Sequence, residues 1–190
     1  MLKELFTNCL EGPWKIAGID TQYKIFNKVL YFQCSNSLMD WKRNFDFPAI
    51  PYKDQPIKWC AHKGFVWAWK LARQEILSDI ENNPINMIVG YSHGAALAVL
   101  AHEDLWFNNK SIITYTFGGP RVVWMPNKKI LSRWNGLTRI KLNGDIVTNL
   151  PPWLLGYKHV GIEMKLGNKH FIPKAKYHEP EQYLNALEGI

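Results

Sequence analysis

The sequence lacks the features that hold a chain in a membrane or cross-link it through disulfides. No stretch reaches the roughly 18 uninterrupted apolar residues that a membrane-spanning helix requires. Its three cysteines, Cys9, Cys34 and Cys60, have no short paired spacing, which argues against a disulfide framework and against a zinc site. The amino terminus lacks the sustained apolar run of a secretory signal and contains Glu4. These absences predict a cytoplasmic protein, with release by lysis or by non-classical export as the alternative.

Acidic side chains are scarce relative to basic ones. The 190 residues contain 23 Lys and Arg against 16 Asp and Glu, a formal net charge of +7, which favours anionic partners. The basic residues are scattered, and Lys128-Lys129 is among the few clusters, so we expect no nucleic-acid partner. Transient binding to an anionic membrane surface remains open, as does a surface that is merely solvated. With 47% hydrophobic residues, the length predicts a single domain over residues 1–190.

The most informative segment is the pentad Gly90-Tyr91-Ser92-His93-Gly94. An apolar run, Ile85–Val89, precedes it, and the helix-forming run Ala95–Leu100 follows it. A Gly-x-Ser-x-Gly pentad between a strand and a helix is typical of a nucleophile elbow, in which a strained turn presents the serine. The helix N-terminus then directs backbone N–H groups towards developing negative charge. The alternative is a serine that only occupies a tight strand-helix turn.

Strands alternate with helical segments along the chain. Two β-rich runs flank Asn27-Lys28 and predict a hairpin. A helix is predicted next, with one apolar face formed by Phe65, Trp69, Ala72, Ile76 and Ile80. After it come the elbow strand and helix, two buried strands at Ser111–Phe117 and Thr138–Leu142, and a last helix at Glu181–Leu187. This alternation predicts an α/β fold with a mostly parallel sheet and antiparallel strands at the edge.

A serine nucleophile needs an acid and a histidine further along the chain. Asp145 follows the strand Thr138–Leu142 through Asn143-Gly144, which is where the acid is expected, although an aspartate there can also simply cap a turn. Two histidines are candidates for the base. His178 lies in a polar loop before the last helix and His159 opens a predicted strand, so loop placement on a rigid scaffold favours His178.

Several segments around the pentad resemble the class 3 lipases, the fungal-lipase-like family. His62-Lys63-Gly64-Phe65 precedes the pentad, and Phe117–Val122, Asn143–Val147 and Leu150-Pro151-Pro152 follow it in the order seen in that family. The resemblance implies an α/β-hydrolase-like fold with helices on both faces of the sheet.

The resemblance also implies roles for individual residues. Ser92 is the expected nucleophile, Asp145 the orienting acid and His178 the general base, whereas His159 resembles a separate structural histidine of the family. The expected oxyanion donors are the backbone N–H of His93 and the N–H and hydroxyl of Ser35. No metal and no organic cofactor is expected.

The segment after Ser35 lies where class 3 lipases carry a lid. Its apolar side chains either meet lipid on a mobile lid or cover the core permanently. These candidates are Leu38, Met39, Trp41 and Phe45. Beside the acid, Trp153 and Leu154 either line an acyl site, touch an interface or pack as ordinary hydrophobic residues.

Together these features predict a serine carboxylic-ester hydrolase of the lipase or phospholipase type, which cleaves lipid acyl esters through a Ser92 acyl-enzyme. Two other classes of protein remain as alternatives. A catalytically silent, lipase-like lipid-binding module would keep the fold without turnover. A basic nucleic-acid-binding domain would leave the pentad, Asp145 and the histidines unexplained.

Overall fold

The protein is built around a large, mostly parallel β-sheet. The computed structural model describes residues 1–33, 48–52, 59–106, 111–168 and 172–190. Within these ranges the sheet has seven strands, numbered along the chain and in the spatial order β1 (Lys15–Ala17), β2 (Thr21–Phe26), β3 (Val29–Phe32), β6 (Met87–Tyr91), β7 (Ile113–Phe117), β9 (Leu137–Leu142) and β11 (Ile162–Leu166). The strands β1, β2 and β3 pair antiparallel, and those from β3 to β11 pair parallel.

The predicted hairpin at the edge of the sheet is confirmed. Asn27 and Lys28 have φ values of 50° and 62°, and they join β2 to β3. Two consecutive residues with positive φ form the turn whose twist matches that of paired strands, and asparagine adopts this conformation at low cost.

Helices cover both faces of the sheet. They are α1 (Leu2–Leu10), α2 (Lys63–Asn82), α3 (His93–Trp106), α4 (Lys128–Leu131) and α5 (Pro180–Leu187), with single 3₁₀ turns at Ser132–Trp134, Val147–Asn149, Trp153–Leu155 and Ala175–His178. Alternate residues of β3 separate two cores. Leu30 and Phe32 pack with α2 and α3, whereas Val29 and Tyr31 pack with α1 and α5. The predicted α/β-hydrolase-like architecture is therefore confirmed.

The sequence-based interpretation did not include a small second sheet. It has four short antiparallel strands within the described ranges, in the spatial order β10 (Tyr157–Lys158), β8 (Val123–Trp124), β5 (Trp59–His62) and β4 (Ala49–Tyr52). The side chain of His62 caps α2 by accepting the Gly64 N–H at 3.2 Å. This sheet therefore joins the acid loop (residues 143–152) to the start of α2 through β10, β8 and β5.

The described ranges contain neither a membrane-spanning helix nor a cluster of metal ligands. None of their helices is long and apolar enough to cross a membrane. No group of three or more His, Cys, Asp or Glu side chains in these ranges is arranged to hold a metal ion.

Candidate active site

Ser92 lies on a strained turn between β6 and α3. Its φ is 58°, a left-handed conformation that a residue with a side chain adopts only when its surroundings enforce it. The Ser92 N–H donates to the Phe117 carbonyl at 3.0 Å, which fixes the turn against β7. A Cβ on Gly94 would collide with the Phe32 carbonyl oxygen, so only glycine allows the helix to start this close to β3. The strand, turn and helix expected around the pentad are all present.

His178 lies opposite the serine. Its Nε2 is 2.7 Å from the Ser92 Oγ, and its Nδ1 is 2.8 Å from the Asp145 Oδ2. A carboxylate only accepts hydrogen bonds, so His178 Nδ1 carries the proton and Nε2 is free to accept the Ser92 hydroxyl proton. All three side chains are buried. The geometry is that of a nucleophile, a base and an orienting acid.

Asp145 accepts hydrogen bonds from three groups. Besides His178, the Val147 N–H donates to Oδ1 at 2.8 Å and the Tyr183 hydroxyl donates to Oδ2 at 2.6 Å. Burial and the Asp145 carboxylate raise the pKa of Tyr183 well above its ordinary value, so the phenol retains its proton and can donate. The same hydroxyl accepts the Leu142 N–H at 3.2 Å. The orientation of the carboxylate is therefore fixed from β9, from its own loop and from α5.

The triad needs space that a glycine provides. Gly118 follows β7 with a φ of 58°, and a Cβ there would lie 3.0 Å from the His178 Cε1 and 3.1 Å from the Asp145 Oδ2. These distances are shorter than nine in ten real Cβ contacts, and a side chain would also be strained at this φ. The Gly-Gly-Pro segment thus allows the acid and the base to approach each other.

Arg121 fixes the acid loop on its outer side. Its backbone N–H donates to the Leu150 carbonyl at 2.7 Å. Its guanidinium donates to the carbonyls of Asn149 and Pro151, the second at 2.9 Å. Because an arginine presents several donors in a rigid fork, one side chain can satisfy several carbonyls of a loop. Asp145 therefore sits at the start of a loop with little freedom to move.

The structure does not bring His159, the alternative base, to the serine. Its Nε2 contacts the Thr148 carbonyl at 2.8 Å within the acid loop. Burial and the nearby cations, chiefly Arg139, lower the pKa of His159 to about 3. A neutral imidazole that donates to a backbone carbonyl supports the loop, which agrees with a structural role.

One of the two residues expected to donate to the oxyanion lies in the described ranges. His93 is the first residue of α3, where backbone N–H groups have no carbonyl acceptor within the helix. Its N–H is therefore available next to Ser92. Ser35 lies outside the described residues.

The candidate lid and acyl-site residues fall into two groups. Leu38, Met39, Trp41 and Phe45 lie outside the described residues. Trp153 and Leu154 form a 3₁₀ turn after the acid loop and are 67% and 76% exposed. Neither of them packs as an ordinary core residue.

Sequence reasoning missed three residues that contact the triad or its loop. Tyr183 and Arg121 are described above. Tyr91, inside the pentad, stacks its ring on the His178 imidazole with 5.2 Å between ring centroids, and its hydroxyl donates to the His178 carbonyl. By pattern, Tyr183 in the first turns of α5 and Tyr91 directly before the nucleophile are ordinary core residues. Only Arg121, next to Gly-Gly-Pro, carried a signal in the sequence.

The fold is that of the α/β-hydrolases, and it brings a serine, a histidine and an aspartate together in the geometry of a triad. The family model for lipase (class 3) matches residues 29–155, and the chain belongs to this family. The expected resemblance is confirmed.

Individual relatives are similar over most of the chain. A secreted mono- and diacylglycerol lipase from Penicillium cyclopium is 32% identical over 143 residues, which cover 71% of this chain and 46% of the relative. A solved mono- and diacylglycerol lipase from Aspergillus oryzae is 31% identical, with a TM-score of 0.63, covering 75% of this chain and 55% of the other. The triacylglyceride lipase of Rhizomucor miehei has a TM-score of 0.67 at 24% identity, covering 82% and 66%. The chain spans about half the length of the curated relatives it matches.

The expected cytoplasmic location is wrong. The curated relatives from Penicillium and Fusarium are named as secreted enzymes, which points to the outside of the cell.

Proposed function

We propose that this protein is a serine hydrolase that cleaves the acyl esters of lipids. One observation carries the proposal, namely the continuous hydrogen-bonded chain from the Ser92 Oγ through His178 to the Asp145 carboxylate. This arrangement activates a hydroxyl for attack on a carbonyl carbon. Membership of the class 3 lipases supports a lipid ester as the substrate.

In the proposed reaction, the Ser92 Oγ attacks the ester carbonyl and His178 Nε2 takes its proton. Asp145 holds the imidazole in the tautomer that can accept this proton and stabilises the imidazolium that results. The N–H of His93 and the expected donors of Ser35 bind the oxyanion, and each such donor contributes about 3 kcal/mol in the transition state. His178 then protonates the leaving alcohol. Water, deprotonated by the same imidazole, attacks the acyl-enzyme and releases the fatty acid.

By analogy with the relatives named above, we propose that the substrates are acylglycerols or phospholipids. We also propose that the protein is secreted and meets these lipids outside the cell. The net charge of +7 supports an anionic lipid surface over a neutral one. Phosphatidylglycerol should then be hydrolysed faster at low salt than a neutral triglyceride. Equal rates on the two lipids would leave a neutral acylglycerol as the better proposal.

The test is a panel of a short-chain soluble ester, a diacylglycerol emulsion and phosphatidylglycerol vesicles, together with a fluorophosphonate that labels active serines. Ser92 is buried, so acylation requires its exposure, and the panel therefore includes lipid surfaces as well as soluble esters. Ser92→Ala should remove turnover and labelling on every substrate. The matched control is Ser132→Ala, because Ser132 is exposed in the 3₁₀ turn after α4. This variant should retain turnover and labelling.

A catalytically silent lipid-binding module is the competing proposal. It predicts that the wild-type protein is neither labelled nor active on any member of the panel, yet still sediments with lipid vesicles.

A further inference from the structure

The positive charge of the protein is concentrated in one part of the chain. Residues 121–178 contain eleven Lys and Arg side chains and two carboxylates, Asp145 and Glu163. The rest of the chain has more acidic than basic residues, since the whole chain has 23 basic and 16 acidic side chains. The cationic segment contains the acid loop and both small-sheet strands that follow β7.

Several large apolar side chains of this segment are exposed, and four of them adjoin the small sheet. The 3₁₀ turn Trp153–Leu155, which we call the WLL turn, has exposures of 67%, 76% and 50% along its three residues. Met125, at the end of β8, is 62% exposed. Isolated apolar residues are normal on a protein surface, but consecutive exposed residues next to a functional site indicate a binding surface.

The WLL turn is held rigidly. The Leu155 N–H donates to the Pro152 carbonyl at 3.0 Å, and the Trp124 Nε1 donates to the Leu155 carbonyl at 2.9 Å. The Met125 N–H donates to the Gly156 carbonyl at 2.9 Å, which joins the turn to β8. A rigid apolar projection loses little conformational freedom on binding, so more of its burial energy is available for affinity.

The WLL turn is linked to the candidate active site on both of its sides. It begins directly after the acid loop, whose Pro151 carbonyl is bound by Arg121. On its other side, ring contacts run from Tyr157 to His62 at 5.9 Å, from His62 to Phe65 at 4.5 Å and from Phe65 to His93 at 5.5 Å. His93 is the neighbour of Ser92.

Exposed lysines follow both the WLL turn and Met125 in the sequence, and no carboxylate lies close to either along the chain. Lys158 is exposed three residues after the turn, and Lys128 and Lys129 are exposed three and four residues after Met125. Apolar side chains that enter a lipid surface while lysines contact its headgroups form the usual pattern of an interfacial anchor on an anionic membrane.

We propose that the WLL turn and Met125 form a fixed anchor that inserts into an anionic lipid surface and holds the active site against it. This inference rests on the proposed lipid substrate and names the surface that meets it. The anchor belongs to the hydrogen-bonded framework of the small sheet and needs no movement of the segment after Ser35.

The experiment measures vesicle binding separately from catalysis. In a Ser92→Ala background, which prevents hydrolysis of the vesicles, the partition coefficient is measured by co-sedimentation with phosphatidylcholine vesicles that contain or lack phosphatidylglycerol. The test variant is Trp153→Ser/Leu154→Ser. The matched control is Ile162→Ser, since Ile162 is 63% exposed at the amino end of β11, the end of the parallel strands opposite the triad.

We expect the double variant to bind anionic vesicles at least about tenfold more weakly, because each buried large apolar side chain contributes this order of affinity. Ile162→Ser should stay within twofold. Lys158→Gln should lose about fivefold on anionic vesicles and nothing on neutral ones, and added salt should weaken only the anionic binding.

Unchanged partition of the double variant, or an equal loss in Ile162→Ser, would overturn the proposal. A dimer in solution that Leu154→Ser converts to a monomer would assign the WLL turn to a second copy of the chain instead. With an intact Ser92, hydrolysis of a soluble short-chain ester should be retained in the double variant, and a loss as large as the loss of partition would make the turn an acyl-site wall. Failure of the proposed function is separate, because it removes ester hydrolysis from the wild type and leaves vesicle binding measurable.

Discussion

His178 and His159 both lie next to the acid loop, yet their surroundings are opposite. His178 meets a carboxylate at one ring nitrogen and a hydroxyl at the other. His159 contacts the Thr148 carbonyl and lies among Arg139, Arg121 and Lys141. A carboxylate favours an imidazole that gains a proton during the reaction, whereas neighbouring cations oppose it. The charges around the two rings, more than their positions in the chain, therefore indicate that His178 is the proposed general base and His159 a structural residue.

The largest expected difference between the two histidines is in catalysis. His178→Ala should lower kcat on a soluble ester by about 10⁴-fold or more, because the serine loses its base. His159→Gln should retain activity within about tenfold, since the glutamine amide can still donate to the Thr148 carbonyl. Initial rates at matched enzyme concentration measure both. Retained activity in His178→Ala would reverse the assignment.

The next effect concerns the carboxylate that distinguishes the two sites. Asp145→Asn should lower kcat by about 10³- to 10⁴-fold, because an amide can donate to the imidazole and favour the wrong tautomer. Glu163→Gln is the control, since this carboxylate pairs with Arg139 at 3.3 Å, beside His159, and has no contact with the triad. A similar loss in both variants would mean that general charge near the site, and not the tautomer of His178, controls the rate.

The pH dependence of stability tests whether His159 is neutral in the folded protein. Its pKa of about 3 in the folded protein lies below the ordinary value of 6.5, so the unfolded chain binds a proton that the folded protein excludes as the pH falls. Between pH 7.5 and pH 5 this difference should cost about 2 kcal/mol of the free energy of unfolding. Urea denaturation at the two pH values measures this loss. The free energy of unfolding should fall by about 2 kcal/mol less in His159→Gln than in the wild type. An equal loss in the two proteins would contradict a partly buried, neutral His159.

The smallest expected effect tests how Asp145 is positioned. Tyr183→Phe removes one of the carboxylate's donors and should lower kcat by about tenfold and stability by about 1 kcal/mol. Tyr23→Phe is a matched control, because the Tyr23 hydroxyl donates to the Asp79 Oδ2 at 2.7 Å, away from the triad. It should cost similar stability and leave kcat unchanged. Equal rates in the two variants would limit Tyr183 to a structural role.

The large sheet and the elbow could be predicted from the sequence because their signals are local. Alternating burial, the Asn27-Lys28 turn and the Gly-x-Ser-x-Gly pentad each lie within a few residues. The small sheet could not, since its strands have two to four residues and β4 even contains Pro51. Pairs this short are stabilised by what they pack against, which a single segment does not reveal.

The candidate site also has a part that could be predicted from the sequence and a part that could not. Ser92, Asp145 and His178 follow from a known order along the chain, and the structure brings these three together. Helix α1 was not predicted, although Leu5, Phe6 and Cys9 have helical spacing, and its Phe6 packs against Tyr91, Phe117 and Tyr183. The partners of these aromatic rings are distant in sequence, so their role in supporting the triad appears only once the chain is folded.

The contact between Tyr91 and His178 joins the elbow directly to the segment that carries the histidine. Tyr91 is bonded covalently to Ser92, and its hydroxyl and ring contact the backbone and the imidazole of His178. Tyr91 thus links the base directly to the nucleophile, whatever the length of chain between them. Surface loops between residues 94 and 177, apart from the acid loop, should therefore tolerate insertions without changing the distance between Ser92 and His178. A transplant of the histidine segment into another elbow would need to bring this tyrosine with it.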